Sequence, residues 1–276
     1  MCSLLSRDDR HKPGDDPMKK LLFTGAMLAS FAAIQSAGAA DLALKAPPPP
    51  PIVDEWTGWY VGLNLGGSFG RSSTTYTGIG FAPFTTSQHL DGVVGGGQVG
   101  YNWQFNRNWL IGLEADIQGT SERGTANLPT IVIPPIVGVA VVPGITSAAT
   151  LTQKLPWFGT VRARLGVEPT GNWLLYVTGG LAYGEIRSTL NTAAVTTTGV
   201  ATATTATVNN TRAGWTVGVG SEWMFAKQWS AKVEYLYMDF GHFTDGFIGT
   251  GSFAAVAINS HVTDNVVRAG VNYHFH

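Results

Sequence analysis

KQWSAKVEYLYMDFG, residues 227–241, is the stretch on which the fold turns. Every second residue from Trp229 is apolar or aromatic: Trp229, Ala231, Val233, Tyr235, Tyr237. Between them lie Ser230, Lys232, Glu234, Leu236 and Met238. A period of two is the signature of a β-strand. One face is a continuous greasy stripe, and the other carries two opposite charges near its middle. The fold follows from which face points inward.

The same alternation returns along the chain. It runs through WYVGLNLGGSFG (59–70), DGVVGGGQVGYNWQF (91–105), NWLIGLEADIQGT (108–120), KLPWFGTVRARLGVE (154–168), NWLLYVTGGLAYGEIRS (172–188), RAGWTVGVGSEWMFA (212–226) and NVVRAGVNYHF (265–275). With the opening stretch this makes eight strands. Their connections alternate in length. Residues 106–107, 169–171 and 227 form short breaks, whereas 71–90, 121–153, 189–211 and 242–264 are long ones. All short turns therefore fall at one end and all long loops at the other, which is the layout of a transmembrane barrel. About ten residues separate the end aromatics of each strand, as a tilted membrane strand requires.

Composition agrees. Hydrophobic residues make up 44% of the 276 and charged residues 13%, with 35 glycines and 9 tryptophans. A soluble protein this poor in charge would struggle to cover its surface. No stretch of the body reaches the roughly 18 unbroken apolar residues of a spanning helix. The net charge of −1 gives no reason to expect a nucleic-acid partner. The expected fold is all-β, an eight-stranded antiparallel up-and-down transmembrane β-barrel.

The face opposite the greasy stripe carries Glu114, Asp116, Arg162, Arg164, Glu222, Lys232, Glu234 and Arg268, four acids and four bases. A charge facing lipid near the midplane would cost about 2–4 kcal/mol. The charges must therefore face the lumen, where each needs a partner because an unpaired buried charge is costly. Inward glycines such as Gly100, Gly166 and Gly220 leave room for long side chains. The group reads either as a salt-bridged plug or as an ion-conducting lumen. An eight-stranded barrel is just wide enough for side chains to fill, which favours the plug.

The tryptophans fall at two levels. Trp59, Trp109, Trp173 and Trp229 start odd strands, and Trp103 and Trp223 lie near the ends of even ones with Phe105, Phe225, Tyr273 and Phe275. Trp157 and Trp215 open even strands at the other level, with Phe69, Tyr183 and Tyr237. These are the positions of two membrane-interface belts.

Ahead of the barrel, Met18-Lys19-Lys20, the apolar run 21–34 and SAGAAD (36–41) form the three parts of a secretory signal peptide, with cleavage expected after Ala39 or Ala40. Residues 1–17 read as a non-native or mis-assigned extension. An anchoring helix over 18–40 is the competing reading, and its apolar part is short for one. Residues 41–55 hold five consecutive prolines and form an extended spacer, either a plain linker or a partner-binding motif. The barrel is assigned 56–276. Removing residues 1–40 takes Lys+Arg from 17 by five to 12 and Asp+Glu from 18 by four to 14, a net charge of −2. The single cysteine, Cys2, leaves with the signal, so no disulfide or thiolate chemistry is expected.

No catalytic constellation stands out, and the chain is expected to be non-enzymatic. His89, His242 and His261 are placed in separate outer loops. His274 and His276 share a strand face but lack the carboxylate or thiolate that would complete a metal site. No cofactor is expected. IVIPPIVGVAVVPG within 121–153 is apolar for a surface loop; it either extends its strands or folds over the mouth. The Thr/Ala/Val tract 189–211 reads as surface display.

ADLALKAPPPPP after the signal, WTGWYVGLNLGGSFG, WFGTVRARLG and GWTVGVGSEWMF…WSAKVEYLYMDFG together resemble the outer-membrane immunogenic proteins of alpha-proteobacteria, small surface-antigen barrels related to the OmpA-like transmembrane domain. The resemblance covers residues 41–276. It implies a porin-like outer-membrane barrel with a structural, surface-exposed role and extracellular long loops. It also implies contact with outer-membrane lipid and lipopolysaccharide, and assembly through the C-terminal strand by the barrel-assembly machinery. A monomer is expected. A narrow channel for small solutes, or loop binding of haem or a host surface, are the alternatives. Phe275 would be the terminal aromatic that the machinery reads, although His276 follows it.

Overall fold

The computed structural model describes residues 56–78, 81–136, 138 and 142–275. The segments assigned to extension, signal and spacer lie outside the described residues, as does His276. Nine strands follow in chain order: β1 (Gly58–Gly78), β2 (Phe81–Gln104), β3 (Trp109–Asn127), β4 (Ile131–Ile133), β5 (Ile145–Thr170), β6 (Trp173–Thr196), β7 (Ala201–Ala226), β8 (Trp229–Phe247) and β9 (Val256–Phe275).

Eight of these form a closed antiparallel ring. The order runs β3-β2-β1-β9-β8-β7-β6-β5, and a β3–β5 ladder completes the circle. First and last strands meet, with Trp59 opposite Phe275. Closure removes the free edges over the short-turn half of the strands, the condition for a sheet in hydrocarbon; the β7–β8 ladder ends at Trp215↔Asp239 and the β2–β3 ladder at Asp91↔Arg123. β4 is a three-residue addition beside β5. The short turns hold as expected; at one of them Asn106 Oδ1 accepts the backbone N–H groups of Asn108 and Trp109 at 3.1 and 2.9 Å.

The long connections are a correction. Most of their residues are strand. β6 and β7 pair without interruption from Trp173↔Trp223 up to Val195↔Ala201, so the tract expected as a surface loop over 189–211 is a hairpin turning at 197–200. β1 and β2 pair from Gly58↔Asn102 to Gly78↔Phe81. The segment 121–153 extends its strands to Asn127 and back from Ile145. Barrel strands are thus 19–26 residues long. The membrane needs about 9–11.

The outer wall changes composition along the strands. Between the two aromatic levels the outward side chains are large, apolar and exposed, among them Leu63, Leu113, Val177, Val217, Val233 and Val267. Beyond Phe69, Tyr183 and Tyr237 the outward positions become mostly polar, with several hydroxyls and amides bonded across strands: Thr75–Thr85 at 2.8 Å, Thr189–Thr207 at 3.1 Å, Thr205 to Asn191 at 2.8 Å. Two ladder irregularities, at Lys154/Phe158 in β5 and at Asp239/His242 in β8, sit near this transition. Gly241 takes φ +69°, and its N–H is accepted by Asp239 Oδ1 at 2.7 Å. The extra residue turns both Phe240 and Phe243 into the lumen.

The interior is layered. Trp56, Leu110, Leu174, Tyr176 and Met224 close the short-turn end. The charged layer follows. Above it an apolar layer includes Leu155, Phe158, Leu236, Met238, Phe240 and Val266. A hydrogen-bonded layer then contains Thr74, Gln88, Gln153 and Ser260. Tyr76, Leu151, Leu190, Phe247, Phe253 and Ile258 fill the top. The upper wall is mostly polar outside and encloses apolar layers separated by the hydrogen-bonded one, whereas the lower wall is apolar outside around the charged layer.

Candidate functional site

All eight charged residues singled out above point into the lumen and are 0–4% exposed. Strict alternation from outward aromatics puts them there: Trp109 facing out sends Glu114 and Asp116 in, and Trp229 facing out sends Lys232 and Glu234 in. Register then makes partners. Glu114 lies opposite Arg162 on the neighbouring strand, Glu222 opposite Lys232, and Glu234 opposite Arg268.

Arg162 is the hub. Its Nη2 donates to Asp116 Oδ2 at 2.9 Å and to Glu114 Oε1 at 2.5 Å, and its Nη1 donates to Glu234 Oε1 at 2.8 Å. Arg268 bridges Asp116 and Glu234 from the far side, through Nη2 at 2.9 Å and Nε at 2.8 Å. Lys232 Nζ donates to both oxygens of Glu114 at 3.1 Å. Arg164 Nη2 reaches Glu222 Oε2 at 2.9 Å. The other oxygen of Glu222 accepts from Ser230 and Asn272. Each carboxylate thus meets two or more donors, as charges held away from water require.

Two tyrosines belong to this layer, and the charge pattern did not reveal them. Arg164 Nη1 donates to the Tyr60 hydroxyl at 2.8 Å, which donates to Glu114 Oε2 at 2.6 Å. The Arg164 guanidinium also lies 3.9 Å from the centre of the Tyr176 ring. Both were available by alternation: Tyr60 follows outward Trp59, and Tyr176 lies between outward Leu175 and Val177. Each ring sits over a glycine. A Cβ on Gly100 would come within 2.3 Å of Tyr60, and one on Gly220 within 2.3 Å of Tyr176. These two glycines make room for rings, where the sequence suggested room for Arg and Lys.

Trp56 lies ahead of β1, outside the alternation. It is fully buried, 5.7 Å edge-on to His274, and serves as the floor beneath the charges. His274 also faces inward, 2.9 Å from Ser230 Oγ.

The aromatics of the short-turn end face outward at neighbouring positions: Trp59 beside Tyr101 at 5.3 Å, Trp229 beside Tyr273 at 5.2 Å, Trp173 opposite Trp223, Trp103 near Phe105. Trp109 and Phe275 are exposed there as well. At the other level Trp157 packs on Tyr183 and Trp215 on Tyr237. The histidines depart from their expected places. His242 and His261 are register partners on β8 and β9 with rings stacked at 4.3 Å, and His89 is on β2 opposite Arg71. His261 has a close acid, Asp239 at 3.0 Å. Among the described residues no group of three or more His, Cys, Asp or Glu is arranged to hold a metal ion.

A charged layer that water does not reach, between apolar layers, can brace the wall and block passage.

The family model described as "Outer membrane protein beta-barrel domain" matches residues 25–275. The "31 kDa outer-membrane immunogenic protein" of Brucella melitensis is 36% identical over 260 residues, covering 90% of this chain and 98% of its own. The "22 kDa outer membrane protein" of Rhizobium leguminosarum is 27% identical over 224 residues, with 80% and 78% covered. Among solved structures, OprG of Pseudomonas aeruginosa aligns with a TM-score of 0.40 at 11% identity, covering 79% of this chain and 97% of its own.

Proposed function

Because the chain belongs to the outer membrane protein β-barrel family and is an integral surface protein of the outer membrane, we propose that it is a sealed, non-enzymatic wall element rather than a channel. One observation carries this reading: the eight lumen charges are 0–4% exposed and pair with one another. An ion-conducting lumen needs charges that water can solvate, and these have none. The apolar layers below and above add two further barriers.

In this reading the short turns face the periplasm and the tall polar extension stands outside the cell, the orientation usual for such barrels. That extension is the surface a host would meet, which makes an antigen role, like the one the Brucella relative's name states, a consequence of exposure. The aromatic levels sit at the two membrane interfaces. The protein works as a monomer, contacts outer-membrane lipid and lipopolysaccharide with its wall, and is inserted by the barrel-assembly machinery through β9. Planar-bilayer recording of the refolded protein tests the central point. No discrete openings are expected; openings of uniform size would overturn the sealed reading.

A further inference from the structure

The mature chain has few cations, and four are consumed in the lumen. Among the described residues the outward-facing Lys and Arg of the strands are Arg71, Arg123, Lys154 and Arg187, all exposed. Each lies beyond an outward apolar side chain of the lower wall on its own strand: Phe69, Ile117, Trp157 and Tyr183 respectively. None lies at the short-turn end of the wall.

Three of them form a row. Arg123 is the register partner of Lys154, and Lys154 of Arg187, across β3, β5 and β6. Like charges directly opposite on a sheet destabilise it. With strands about 4.8 Å apart, the row packs three positive charges into about 10 Å. The acids nearby offset part of it: Glu185 lies 3.0 Å from Arg187, and Asp91 is the register partner of Arg123. No acid of the described residues lies within ion-pair distance of Lys154 or Arg123. Directly below, outward Gly95, Gly97 and Gly119 leave the wall of β2 and β3 recessed, with no heavy atom nearer than 3.2 Å to a Cβ added at any of them.

We propose that Arg123, Lys154 and Arg187 form a binding site for the phosphate groups of an outer-leaflet glycolipid. The row stands at headgroup height, immediately above the apolar wall. An acyl chain of the same lipid can lie along the glycine recess. Guanidinium and ammonium groups match phosphate oxygens as charge-assisted donors. The lipid supplies the counter-charge that the protein does not. The proposal rests on the orientation given above and names the partner of that outer rim.

The test uses the full folded chain in detergent, checked for heat-modifiable migration, with binding of bisphosphorylated lipid A read by native mass spectrometry. The triple variant R123A/K154A/R187A is expected to lose affinity by about a hundredfold. Lipid A stripped of its phosphates should bind wild-type protein as weakly as intact lipid A binds the triple variant. R107A, at the opposite rim, should bind as wild type does. Equal affinity of wild type and triple variant would overturn the site, as would an equal loss in R107A. Competition by millimolar inorganic phosphate would reassign it to a free anion. Surface labelling of Thr207→Cys on intact cells separates the two readings. No labelling would contradict the orientation, whereas labelling together with unchanged lipid A affinity would contradict the row alone.

Discussion

Arg162 makes the largest demand on its surroundings. It donates to three carboxylates, so its removal leaves acids buried with too few partners. Arg162→Met is expected to destabilise the barrel by about 3–5 kcal/mol, seen as a lower urea midpoint for loss of the heat-modifiable form. Gly220 tests the packing of the same layer. An added Cβ would meet the Tyr176 ring at 2.3 Å, so Gly220→Ala should cost about 1–3 kcal/mol. Combining it with Tyr176→Leu should cost less than the sum of the two, because the clash disappears with the ring. The eight charges could be placed from sequence because lipid forbids them the other face. Tyr60 and Tyr176 obey the same alternation, yet a tyrosine is acceptable on either face, so residue type alone did not mark them. Trp56 lies before the alternation starts, and only the folded chain shows it turned under the lumen.

At the scale of strands, the membrane half was legible and the outer half was not. The reading depended on an apolar face pointing out. In β6 that face runs from Trp173 to Tyr183 and then changes to Glu185, Arg187, Thr189 and Asn191, while the inward face becomes Ile186, Ser188, Leu190, Thr192 and Ala194. The alternation persists with its meaning reversed, and the tract then resembles a loop. In β5 and β8 the phase itself shifts. Leu155 and Phe158 both face inward, as do Phe240 and Phe243, so a strict period of two stops there. If the extension is stacked on a self-sufficient membrane barrel, its tip is dispensable. Replacing residues 191–205 of the β6–β7 hairpin by Asn-Gly should leave heat-modifiable migration intact, because the pairs from Trp173↔Trp223 to Tyr183↔Ala213 remain. Loss of that migration would show that the outer hairpin is needed for assembly.

Over the whole molecule two barrels of opposite polarity share one set of strands. The lower is greasy outside and charged within, suited to hydrocarbon. The upper is hydroxyl-rich outside and holds apolar layers about a hydrogen-bonded one within, suited to water. The basic row at their junction marks the level where one solvent gives way to the other. A single chain can satisfy both solvents because its wall changes composition at that level and its bulges re-aim side chains there. The most direct measurement is the accessibility of spin labels on the outer wall of protein reconstituted in bilayers. Labels at Leu63 and Val233 should relax with oxygen dissolved in lipid and resist a water-soluble nickel complex. Labels at Thr75 and Thr207 should do the reverse. Nickel-accessible labels at Leu63 and Val233, or lipid-bound ones at Thr75 and Thr207, would contradict the account.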